Sequence, residues 1–236
     1  MALHSLSQLL DDVGHAVWRA DALAAAASSQ DVAWPSGHEL LDAQLPGGGW
    51  PVGALCEILQ AQNGQHEWRL LLPALRRLKQ TVVLVGAPYT PFGPGLAGQG
   101  LAVQQLLWVK ADSLPDRLWA AEQLLRCAGV DALLLWLHQV RADHLRRLQL
   151  AAQSHAKLLF VMRPAQSQAE SSPAVLRLLV GPAPDADGRQ ADGLCVDILK
   201  RRGPPLAHTL SLRARCAPIS VLLECAHALD CLTAPA

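Results

Sequence analysis

The stretch Gly53-Ala-Leu-Cys-Glu-Ile-Leu-Gln60-Ala-Gln-Asn-Gly64-Gln65-His66-Glu67-Trp-Arg-Leu-Leu71 decides how this chain is read. Ala54–Leu59 has strand length and is apolar except for Glu57. A polar turn containing Gly64 follows. From Glu67 the residues Leu70, Leu71, Ala74, Leu75 and Leu78 return on one side of a helix. Strand, polar loop and helix form the opening unit of a parallel α/β sheet. In such sheets the loop after the first core strand meets a helix N-terminus, whose free N–H groups favour anions.

The same alternation continues toward the C-terminus. Strands are expected at Thr81–Val85, Leu106–Val109, Ala132–Leu137, Lys157–Met162 and Val175–Val180. Helices are expected at Pro115–Cys127, with Ser113 as N-cap, and at Ala142–Ser154. Leu194–Leu199 and Thr209–Leu212 read as an antiparallel hairpin on the sheet edge. Arg163–Pro173, rich in Ser, Gln and Ala, reads as a mobile loop, and Pro182–Asp192 as a turn. Strands that are apolar throughout are those covered on both faces. The expected fold is therefore α/β, a mostly parallel sheet with helices on both sides.

Upstream, Leu40–Leu45 is a short helical piece and Pro46–Pro51 a tight loop, because three successive glycines favour no regular element. Ser28–Gly37 reads as a linker. Before it, Leu6, Leu10, Val13 and Val17 form one stripe of a helix. That stripe docks either on its own domain or on a partner, and periodicity does not separate the two. The chain divides into an N-terminal helix and linker (1–35), a core domain (36–212) and a tail (213–236), the last with weak helical character around Val221–Cys231.

Composition narrows the function classes. Hydrophobic residues make up 51% of the 236 and charged residues 17%, which suits a packed domain and excludes a disordered chain. Net charge is zero, but residues 1–60 hold seven acids and one base, Arg19, while the remainder holds nineteen bases and thirteen acids. Such a split steers partners and is too mild to imply nucleic-acid binding. No apolar run is long enough for a membrane span, and Met1–Asp12 lacks a secretory pattern, so a cytoplasmic location is expected. Six scattered cysteines without a CxxC pair fit buried thiols. Cys216, Cys225, His227 and Cys231 fit no standard zinc spacing, and no metal is expected. No nucleophile elbow or HExxH motif is present. Arg146 and Arg147 read as a solvated helix face. Trp50, between Gly49 and Pro51, is either a lid on the core or an exposed anchor.

Two sets of residues carry a resemblance. Ser36-Gly-His-Glu-Leu-Leu-Asp-Ala-Gln-Leu-Pro-Gly-Gly-Gly-Trp-Pro-Val-Gly53, running into Glu57-Ile58, resembles the lead-in of RecA-type recombinases. Ala16-Val-Trp18-Arg19, Leu118-Trp-Ala-Ala-Glu-Gln-Leu-Leu-Arg126, Leu145-Arg-Arg-Leu-Gln-Leu-Ala-Ala-Gln153 and Ile198-Leu-Lys-Arg-Arg-Gly-Pro204 are similar to the ImuA family of translesion-synthesis accessory proteins. The resemblance implies a RecA-like fold and a damage-response role. The implied partners are a polymerase-like protein of the ImuB type, RecA and an error-prone C-family polymerase. It also implies that Lys200, Arg201 and Arg202 stand where RecA-type proteins reach a neighbouring subunit, with self-association as a corollary. A solvated turn guarding an edge strand is the other reading of those three.

The departures from the RecA pattern set the chemistry. A phosphate-binding loop needs close-approach glycines, a Lys for the phosphates and a Ser or Thr for Mg²⁺. Here Gln60 takes the first glycine's place, Gln65-His66 the Gly-Lys pair, with Gly64 before it, and Glu67 the hydroxyl residue. A carboxylate at that place repels phosphate. Gly86-Ala-Pro-Tyr89 follows the second strand where the resemblance asks for a catalytic Glu, and Trp136-Leu137 ends the strand that should end in Asp. The expectation is a non-catalytic protein-interaction module with no cofactor. DNA binding is expected to be weak or indirect, since the candidate DNA loop at Arg163–Pro173 offers only Arg163. Two alternatives are a cell-division inhibitor resembling SulA, which binds FtsZ, and an atypical nucleotide-binding ATPase built on Asn63–Glu67.

Overall fold

The computed structural model describes residues 32–183, 193–206 and 208–213. In chain order it contains β1 (Ala33–Trp34), α1 (Glu39–Asp42), β2 (Trp50–Pro51), β3 (Ala54–Gln60), α2 (Glu67–Leu75), β4 (Thr81–Val85) and α3 (Gly93–Gly98). A 3-10 turn at Val103–Gln105 leads to β5 (Leu106–Val109), α4 (Leu114–Arg126), β6 (Val130–Trp136), α5 (Ala142–Ser154) and β7 (Leu158–Pro164). A second 3-10 turn at Ala165–Ala169 precedes β8 (Leu176–Pro182), β9 (Gly193–Lys200) and β10 (Leu210–Arg213). The stripe Leu6, Leu10, Val13 and Val17 and the set Cys216, Cys225, His227 and Cys231 lie outside the described residues.

Eight strands form the main sheet, in the order β10-β9-β8-β3-β7-β6-β4-β5. From β8 to β5 all neighbours run parallel, and β9 and β10 continue antiparallel at one edge. This is the expected α/β class, and it is consistent with a RecA-like fold. β3 lies between β7 and β8, while the chain leaves it through α2 for β4, three places away. Two strands that diverge in this way open a crevice at their carboxyl ends, where α/β sheets bind ligands.

Both faces are covered because the parallel strands are apolar on both sides. One core holds Cys56, Ile58, Leu134, Phe160 and Leu178 of the sheet beneath Leu70, Leu71 and Leu75 of α2. The other holds Leu55, Val83, Leu133 and Val161 beneath Leu118, Leu125, Leu145 and Leu148 of α4 and α5. Ser113 caps α4 as expected, its side chain accepting a hydrogen bond from the Asp116 N–H at 3.2 Å. No helix among the described residues is long and apolar enough to cross a membrane.

Three expectations need correction. Trp50-Pro51 is a strand rather than loop, and it pairs with Ala33–Trp34, which was read as linker. Gly49 permits this pairing, because a Cβ there would sit 2.3 Å from the Trp34 carbonyl oxygen. The 93–105 region, where the sequence suggests no element, folds into α3 and a 3-10 turn. The helix beginning at Glu67 stops at Leu75 rather than Leu78. Arg163–Pro173 is an ordered element rather than a mobile loop: β7 runs through Pro164, and Ala165–Ala169 forms a 3-10 turn with Ser167 buried.

Candidate functional site

The loop Ala61–His66 lies between the carboxyl end of β3 and the start of α2, at the crevice described above. Gln60 is the last residue of β3 and shares the face of Cys56 and Ile58, the face that α2 covers. It has no solvent exposure, and neither atom of its amide has a hydrogen-bond partner. Gly64 adopts φ 90°, and a Cβ there would meet the Tyr89 ring at 2.5 Å. The loop is thus pressed against the segment that leaves β4. On its other flank, the Asn63 amide lies 3.2 Å from His138 Nε2, just beyond β6.

Glu67, the first residue of α2, is fully buried. Its carboxylate turns back over the loop. Oε1 accepts from the Gly64 N–H at 2.6 Å and from the Trp136 indole N–H at 2.9 Å, and Oε2 accepts from the His66 N–H at 3.1 Å. Trp136 ends β6, where a metal-binding acid would stand in a nucleotide hydrolase. Two of the departures noted in the sequence are therefore bonded to each other. His66 is held below its usual pKa, by burial first and by the nearby Arg69 second, with Glu67 opposing. It is a neutral ring at pH 7 and supplies no cation for a phosphate.

The other named residues fall elsewhere. Gln65 is exposed and bonds Gln62 at 2.6 Å. Trp50 is buried in the α2-side core, edge-on to Phe160 at a centroid distance of 5.2 Å. Lys200 donates to the Ser172 carbonyl at 3.0 Å. Arg201 donates to the Pro204 carbonyl at 2.9 Å and to the Gln44 carbonyl. Arg202 is exposed and, with Arg201, lines a small apolar recess beside Leu45, Pro46 and Leu176. Lys200 and Arg201 thus tie the end of β9 to other segments; Lys200 and Arg202 are exposed and Arg201 is half-buried.

Arg163 is not offered to a phosphate. Its guanidinium lies in a buried network with Glu57 at 3.1 Å and Glu170 at 2.7 Å. Glu57 also pairs with Arg177 at 2.6 Å, and Arg177 in turn donates to the Ser167 carbonyl at 2.7 Å. This network fastens the 165–170 segment to the sheet.

Sequence reading missed three exposed aromatic side chains. Tyr89, Phe92 and Trp119 are 69%, 72% and 68% exposed. Tyr89 and Phe92 project from the segment after β4. Trp119 lies on α4 beside an open groove that α5 completes with His144 and Arg147. The signal available in the sequence was their position: Tyr89 and Phe92 stand in a Pro/Gly-rich turn, and Trp119 interrupts the polar face of a helix. Among the described residues no cluster of His, Cys, Asp or Glu is placed to hold a metal ion.

Fold and site together define an α/β protein, consistent with a RecA-like fold, whose phosphate-loop position is filled by a buried glutamate. Comparison with protein-family models and with curated protein sequences finds no match to this chain.

Proposed function

We propose that this chain is a non-catalytic accessory protein of damage-induced translesion synthesis, a RecA-like module that binds proteins and does not turn over nucleotide. The observation that carries the reading is the Trp136–Glu67 hydrogen bond at 2.9 Å. It joins the two places where a hydrolase needs a metal-binding acid and a metal-binding hydroxyl, and it leaves neither group present. The sheet around it is complete, so the fold persists without the chemistry.

The exposed aromatics fit an interaction role, because aromatic side chains are the commonest anchors of protein interfaces. The resemblance to the ImuA family names the partners: a polymerase-like protein of the ImuB type, RecA, and through them an error-prone polymerase. Docking would present a RecA-subunit-like surface, with the Leu6–Val17 stripe and Arg202 as contact candidates. The location this implies is the cytoplasm.

The test is capture of the purified partners on the immobilised chain, with and without Mg-ATP. Equal capture of the polymerase-like protein or of RecA in both conditions is the expected result. Capture of FtsZ alone would replace the reading with a division inhibitor, and capture that required ATP would overturn the non-catalytic assignment.

A further inference from the structure

Three donors from two separate elements converge on one buried carboxylate. The Gly64 and His66 N–H groups come from the loop and the Trp136 indole from the neighbouring end of β6. No Arg or Lys forms an ion pair with Glu67 among the described residues. A carboxylate held by neutral N–H dipoles at the start of a helix is the arrangement in which proteins bind phosphate. At the end of β3, immediately before the loop, the Gln60 amide is fully buried with both polar atoms unpartnered. Buried amide atoms without partners are rare, because each forfeits its hydration. The end of β3 and its loop therefore carry more hydrogen-bonding capacity than the chain itself uses.

We infer that Glu67 is an internal anion: its carboxylate fills the donor nest of the β3–α2 loop, and its removal opens a site for a phosphate-type oxyanion such as pyrophosphate. In the intact chain the loop is held as a ligand would hold it, without one. In that arrangement Gly64 packs against Tyr89 and Asn63 lies beside His138. The inference rests on the proposed non-catalytic reading and adds how the loop is kept in one arrangement.

The experiment compares the full chain with Glu67→Ala and Glu67→Gln, titrated with inorganic pyrophosphate by calorimetry, with the fold of each checked by circular dichroism. The intact chain is expected to take up no pyrophosphate at millimolar concentration, and Glu67→Ala to bind at least tenfold more tightly than the intact chain. Equal binding by the two, or binding by the intact chain itself, overturns the inference. Glu67→Gln keeps the shape and loses the charge, so it serves if the alanine variant does not fold. In it the Gly64 and His66 amides are expected to exchange with solvent at least tenfold faster, and unchanged exchange overturns the inference as well. Both readouts use the chain alone. Their failure leaves partner capture untouched, and failed capture leaves them untouched.

Discussion

Glu57 has no contact with solvent, and its two oxygens are divided between Arg163 on one neighbouring strand and Arg177 on the other. Removing one member of a buried ion network leaves the others as uncompensated charge, at a cost of about 3–5 kcal/mol. Glu57→Ala is therefore expected to lose stability on that scale in urea unfolding, and a loss below about 1 kcal/mol would mean that water already solvates the arginines. His38 offers a pH-dependent counterpart. Its ring is buried and lies 3.1 Å from the Leu70 carbonyl, to which Nε2–H donates. Burial is the main cause holding its pKa below the usual value. The unfolded chain then binds the proton more readily, so this contribution is fully present above about pH 6.5 and shrinks as pH falls below it. Unfolding free energy is expected to drop between pH 7.5 and 5.5, and His38→Gln to flatten that slope; an equal slope in the variant would assign the effect to other histidines. In the sequence Glu57 stands out only as the polar exception in its strand, and nothing there marks the partners of either residue. Glu57 stands 106 positions from Arg163 and 120 from Arg177, and no local pattern links them.

Elements were legible where apolar residues run without interruption. β3, β4, β6 and β7 appear close to where Ala54–Leu59, Thr81–Val85, Ala132–Leu137 and Lys157–Met162 place them, because a strand buried on both faces has little choice of composition. What stayed hidden was structure made by polar or small residues. The 165–169 turn is fastened by guanidiniums that hydrophobic periodicity does not register, and α3 is built largely of glycine and proline. The end of α5 shows the same limit. Ala156 adopts φ 49°, while the Lys157 N–H bonds the Ala152 carbonyl at 3.1 Å and the Ala156 N–H bonds that of Gln153 at 3.4 Å. This is a Schellman ending with alanine where glycine is usual. A left-handed alanine costs roughly 1–2 kcal/mol, part of which glycine returns through its freer unfolded chain. Ala156→Gly is expected to raise stability by about 0.5–1 kcal/mol in thermal or urea unfolding, and a loss would show that the alanine methyl packs usefully against the turn.

For the whole molecule, alternation of strands and helices was enough to indicate a parallel sheet, since parallel strands need crossover connections. The candidate site was legible as a set of absences: Gln65, His66 and Glu67 stand where Gly, Lys and a hydroxyl residue would be. That Glu67 would fold back onto its own loop was not, because the bond depends on Trp136, 69 residues away and three strands later in the chain. The order of the sheet also bears on how the protein comes into being. β3 is among the first of its strands to be synthesised, yet one flanking strand is β7 and the other is β8, both in the later half of the chain. Until a ribosome has delivered Arg177, Glu57 has only one of its two buried partners and β3 has one open side. An unpaired apolar strand edge invites pairing with other chains. The nascent polypeptide therefore carries an open apolar edge through most of its synthesis, until β7 and then β8 emerge to close it.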